Sequence, residues 1–113
     1  MVNGVTVPNI SKTVKNLATG AKLYCEGNVR TLVLNGLEFS SSEVIQALIP
    51  SEDILSGGVY NSTLLAKSGP TSYKMGWISI NDSGDLYGYY VENNTYTAAT
   101  NYRAFGEITW ILP

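Results

Sequence analysis

Along the chain, short apolar or aromatic runs are separated by clusters of Gly, Asn, Asp, Ser and Pro, at the roughly ten-residue spacing that marks a succession of strands and turns. The turn signals fall at Gly27-Asn28, Asn35-Gly36, Gly57-Gly58, Ser68-Gly69-Pro70, Asp82-Ser83-Gly84 and Asn93-Asn94. Between them the pattern predicts strands over Lys22 to Glu26, Val29 to Asn35, Val44 to Ile49, Thr63 to Lys67, Met75 to Asn81, Asp85 to Val91 and Phe105 to Leu112. Met1 to Gly20 stays open, because Ile10, Val14 and Leu17 have helical spacing behind Ser11 while Thr13 to Leu17 also reads as a strand. A second ambiguity lies at Ser40 to Glu43, which matches a capping box; Pro50 would stop such a helix after two turns, and the strand over Val44 to Ile49 is preferred.

The clearest local signal is a hairpin. Gly76 to Asn81 and Asp85 to Val91 are both β-patterned, and Gly84 can supply the positive φ of a tight turn. Alternation sets Leu86, Gly88 and Tyr90 on one face and Tyr87, Tyr89 and Val91 on the other, so neither face is plainly polar and both need a cover. In the last run Gly106, Ile108, Trp110 and Leu112 share a face, which makes Trp110 a core residue. These elements predict an all-β protein, a small antiparallel β-barrel or sandwich, with residues 1–20 as linker or first strand and 21–113 as the domain proper.

Composition narrows the chemistry. In 113 residues there is room for one modest core. Histidine is missing and Cys25 is the single cysteine, which excludes a Ser-His or Cys-His pair, a zinc site of the usual ligands and an internal disulfide. Seven basic and nine acidic side chains lie scattered, a poor match for nucleic acid or an anionic membrane. Neither an apolar stretch of spanning length nor a basic segment leading into an apolar one is seen, so membrane insertion and Sec export are not expected, and no cofactor is. An enzyme built on this chain would have to use carboxylates drawn from Glu26, Glu38, Asp85, Glu92 and Glu107, and no motif sets two of them face to face.

Six of the eight tyrosines, Tyr73, Tyr87, Tyr89, Tyr90, Tyr96 and Tyr102, fall in the last part of the chain with Trp77, Asp82, Asp85 and Arg103. Aromatic rings pack on the C–H faces of sugars, and carboxylates, amides and guanidinium groups pair with hydroxyls. The candidate saccharide-binding set is therefore Trp77, Asp82, Asp85, Tyr87, Tyr89, Tyr102 and Arg103, with Glu92 to Thr100 as a polar loop beside it. Each has a plainer explanation: tyrosines that pack a core or an interface, aspartates that build the Gly84 turn, an Arg103 paired with a carboxylate.

The order Leu48-Ile49-Pro50, Gly76 to Ile80, Asp82 to Leu86 and the closing aromatic strand Phe105 to Leu112 resembles the C-terminal head domain of receptor-binding proteins from tailed bacteriophages of Gram-positive bacteria, of the lactococcal and streptococcal siphophage kind. The resemblance spans roughly Lys22 to Pro113. It implies a β-barrel head in a homotrimer at the virion's tail tip, held by other tail or baseplate proteins. Such a head binds bacterial cell-surface polysaccharide for host adsorption, without catalysis. A structural tail module that binds no ligand is the main alternative, and a small carboxylate-based glycosidase the next.

Overall fold

The computed structural model describes residues 12–39, 44–57, 60–68, 72–92, 95–98 and 102–113. It is all-β: among the described residues, nine strands form one antiparallel sheet that curls into a half-barrel. The strands are β1 (Lys12–Ala18), β2 (Ala21–Glu26), β3 (Val29–Phe39), β4 (Val44–Ile45), β5 (Tyr60–Ser68), β6 (Ser72–Ile80), β7 (Leu86–Glu92), β8 (Thr95–Ala98) and β9 (Tyr102–Ile111). They run in the order β1-β2-β3-β9-β5-β6-β7-β4, with β8 on the same edge of β7 as β4. The last strand thus lies in the middle of the sheet, between β3 and β5.

The concave face is the core. Leu23, Leu32, Leu34, Ile78, Ile80, Leu86, Ile108 and Trp110 alternate inward from five strands and are buried, each apolar side chain contributing about 1.5–3 kcal/mol. The aromatic ring of Phe39 packs against Gly88, where a Cβ would stand 2.9 Å from the ring's Cζ. Trp110 is in the core as its neighbours predict.

One stretch that the sequence leaves open is settled, and three others differ from the sequence pattern, each for a local reason. Residues Lys12–Ala18 are a strand whose alternation settles the spacing of Val14 and Leu17: Val14, opposite Tyr24, faces out, while Leu17, two residues on from Lys15 opposite Leu23, packs on the core. Asn35-Gly36 is no turn: β3 continues through it to Phe39. Gly36 adopts a φ of 83°, and the register against β9 slips between Asn35 and Leu37. That bulge returns Leu37 and Phe39 to the inward parity of Leu32 and Leu34. The expected strand over Val44 to Ile49 shrinks to Val44–Ile45, because Ala47 takes a φ of 52° and swings Leu48 and Ile49 into the core, where the Ile49 amide donates to the Gly84 carbonyl at 3.0 Å. Thr95 to Ala98, expected in a polar loop, pairs with β7. The possible capping box at Ser40 to Glu43 and the turn signals at Asn93-Asn94 and Gly69-Pro70 lie outside the described residues.

One end of the half-barrel is closed by charge. After Pro50 a single 3-10 turn, Ser51–Asp53, brings the Asp53 carboxylate to 1% exposure. Arg30 Nε donates to Asp53 Oδ1 at 2.7 Å, Lys15 Nζ donates to Oδ2 at 2.6 Å, and Lys15 also reaches Glu52 at 3.3 Å. The Trp110 indole N–H donates to the Asp53 carbonyl at 2.7 Å, so the turn is pinned from the core side as well. Burial opposes the charge on Asp53, but hydrogen bonds and charge from Lys15 and Arg30 outweigh it and hold the carboxyl below its usual range. The hydrogen bond to Asp53 in turn raises the Lys15 ammonium above its usual value, against desolvation and with help from Glu52.

Candidate functional site

The convex face of the sheet carries the aromatic and polar side chains that the core does not use. On β6 the outward positions are Tyr73, Met75, Trp77 and Ser79, and on β7 they are Tyr87, Tyr89 and Val91. Trp77 and Tyr89 face each other across the ladder and stack with centroids 4.8 Å apart and planes at 27°. Both are half-buried. Tyr87 stands two residues along, between Ser79 and Val44. Three of the seven candidate residues therefore form one patch, built on paired strands and not on loops.

The remaining four are placed elsewhere. Asp82 is exposed at the tip of the β6–β7 hairpin, and Gly84 beside it has the positive φ, 82°, that the turn requires. Asp85 sits at the base of that tip with both oxygens engaged: Oδ1 accepts from the Ala47 amide at 2.8 Å and Oδ2 from the Asn81 side chain at 3.0 Å. The Asn81 carbonyl oxygen accepts in return from the amides of Ser83 and Asp85, both at 3.0 Å. The amide of Ala47, and then Asn81, hold the Asp85 carboxyl below its usual range against a smaller opposing effect of burial. Tyr102 is on the concave face, packed on the core with its ring 4.7 Å from that of Tyr90. Arg103 is exposed on the convex side of β9, opposite Glu38 of β3 and Lys67 of β5, two strands away from Trp77.

This geometry gives Asp85 a structural task with a pH signature. Its folded pKa is lowered, so its contribution to stability is complete above its unfolded value of about 3.9 and is lost as pH falls through the folded one. Asp85→Ala is expected to lower Tm, because it releases both Ala47 and Asn81, whereas Asp82→Ala at the exposed tip leaves Tm unchanged. Calorimetry of the two variants at neutral pH checks the contrast.

Two depressions lie on the convex face beyond β5. One, of 440 Å³, is lined by Thr19, Asn35, Gly36, Glu38, Arg103 and Phe105. Its neighbour, of 270 Å³, is lined by Gly20, Lys22, Tyr24, Val33 and Asn35. Apart from Arg103, none of these residues belongs to the set expected from the sequence. The signal was present in the alternation of β2 and β3, which aims Lys22, Tyr24, Val33 and Asn35 to one side, but the Gly36 bulge that opens the hollow is indistinguishable from a turn at the level of sequence.

No cluster of three or more Cys, Asp or Glu able to hold a metal occurs among the described residues, and no helix there is long and apolar enough to cross a membrane. The chain matches no protein-family model and no curated protein. What fold and face define is an all-β protein on one curled antiparallel sheet, with an aromatic patch and a polar hollow on its convex side.

Proposed function

We propose that this chain is the receptor-binding head of a bacteriophage tail, which holds a saccharide of the host cell wall non-covalently at the aromatic patch of β6 and β7 and works as a homotrimer in the virion. The observation that carries the reading is the stacked Trp77–Tyr89 pair on the open face of two hydrogen-bonded strands. Rings held by a sheet offer a flat apolar platform at little entropic cost, which suits the C–H face of a sugar. Tyr87 and Asp82, along the same hairpin, supply hydroxyl and carboxylate partners for sugar hydroxyls. The sequence resemblance to phage head domains supplies the biological setting. A single site of this kind has a Kd of about 1 mM, or about −4 kcal/mol, and adhesion arises from linked copies.

Titration with polysaccharide fragments from Gram-positive cell walls tests the reading through tryptophan fluorescence. Trp110 is buried and bonded to Asp53, so a change of emission on binding reports on Trp77. The expected result is a saturable change that disappears in Trp77→Ala with the fold retained, intact sugar after incubation, and a trimer by light scattering. Shortened sugar chains would point instead to a carboxylate-based glycosidase.

A second reading is favoured by one feature of the same face. Tyr73, Met75 and Val91 are exposed around the pair, Met75 to 59%, and Met and Val have no affinity for hydroxyls. A trimer without any response to wall fragments would make the patch an assembly surface of a structural tail module.

A further inference from the structure

We infer that the two adjoining depressions on β2, β3 and β9 form a second saccharide site, a groove for two linked sugars of which the one over Tyr24 is acidic. The inference rests on the saccharide reading for its ligand class, and it concerns residues separate from the Trp77 patch. The hollows share Asn35, so they adjoin there and together span three strands, a width of about 10 Å that accommodates two pyranose rings.

Each half offers one ring and its own polar groups. In the first, Phe105 lies half-buried beside the Gly36 bulge, flanked by Arg103 and Glu38. These two are direct partners in the β3–β9 ladder, yet no ion pair joins them, and neither side chain has a hydrogen-bond partner among the described residues. A guanidinium and a carboxylate that line the same hollow as an aromatic ring, and are not paired with each other, present donors and an acceptor to neighbouring hydroxyls of a neutral sugar. In the second half, Tyr24 is exposed beside Lys22, whose ammonium also lacks a partner among the described residues. Lys22 and Arg103 against Glu38 leave the groove with a surplus positive charge, which an acidic sugar at Lys22 balances. The side-chain amide of Asn35, at the junction and equally unpartnered among the described residues, faces the linkage between the two rings.

The experiment is a nitrogen-15 NMR titration of the intact chain with the disaccharide glucuronyl-N-acetylglucosamine, and with the same disaccharide reduced at the carboxyl group. The backbone amides of Gly20 and Gly36 and the Asn35 side-chain amide should shift and saturate. Lys22→Gln, an exposed substitution whose fold the same spectra verify, should bind the acidic disaccharide about tenfold more weakly and no longer distinguish it from the reduced one. Shifts confined to the Trp77 indole and the Tyr89 amide would overturn the groove while leaving the saccharide reading intact. Equal binding of the two disaccharides by the unmodified protein would overturn the acidic preference. No shift anywhere would overturn the groove, and the wall-fragment titration at Trp77 then judges the saccharide reading independently.

Discussion

Asp53→Ala is expected to cost about 3–5 kcal/mol, because it leaves the largely buried Arg30 without its counter-charge, while Lys15 keeps only Glu52. The side chain of Arg30 is itself mostly buried, with its Nη1 already committed to the carbonyls of Gly27 and Val29, so it cannot swing into water without breaking those bonds. A loss of that size is a large share of the about 5–15 kcal/mol that a domain of this length has, and Tm should fall by more than about 10 °C. The pH dependence follows from the two shifts. Asp53 is lowered when folded, so its contribution is complete above about 3.9 and is lost as pH falls through the folded value. Lys15 is raised when folded, so its contribution is complete below about 10.4 and is lost as pH rises through the folded value. Between those limits the charged closure is at full strength, and denaturant melts at pH 3, 7 and 11 check both flanks. Replacing the whole set, Lys15→Met with Arg30→Met and Asp53→Leu, should recover most of the loss, since the one carboxylate then left without Lys15, Glu52, is exposed to water and no buried charge is unpaired. A triple variant as unstable as Asp53→Ala would mean that the turn over residues 51–53 depends on the charges for its shape.

The second large effect is expected at Gly88. A methyl group there meets the buried ring of Phe39 at 2.9 Å, and the ring has no solvent to retreat into at 1% exposure. Gly88→Ala should therefore cost about 1–3 kcal/mol from overpacking, more than its gain in strand propensity returns. Phe39→Leu alone leaves a cavity and is also destabilising. In the double variant the smaller Leu makes room for the added methyl, so the two losses should fall short of their sum, and a double-mutant cycle by urea melts measures the difference. Full additivity would show that the ring and Gly88 do not press on each other in solution.

Strand positions are readable wherever alternation runs against a clean turn: Lys22 to Glu26 and Asp85 to Val91 each fall within a residue of the observed Ala21–Glu26 and Leu86–Glu92, whereas Met75 to Asn81 misses the first three residues of Ser72–Ile80. The failures have one cause each. A glycine with positive φ after an asparagine serves a hairpin turn and a β-bulge alike, and only the distant partner β9 decides that Asn35-Gly36 is the latter. Ala47 carries a φ that no side-chain type announces. The saccharide candidates share residue type and proximity in the chain, and the fold sorts them by parity. Tyr102 and Arg103 are adjacent in sequence, and for that reason they lie on opposite faces. The Lys15–Asp53–Arg30 closure joins three segments far apart in the chain. A hint existed in Arg30, which shares the inward parity of Leu32 and Leu34 and so needs a buried counter-charge, but parity could not name Asp53.

The central position of the last strand has a kinetic consequence. Residues Val29–Phe39 pair with Tyr102–Ile111, which closes a loop of some seventy residues, whereas β1–β2–β3 and β6–β7 are joined by short turns and can form early. Folding of this chain is then expected to be slow for its size and limited by the docking of β9. On the ribosome the two halves of the sheet would wait, each with an edge of unpaired backbone N–H and C=O groups, at β3 and at β5, until residues 102–111 emerge to zip them together.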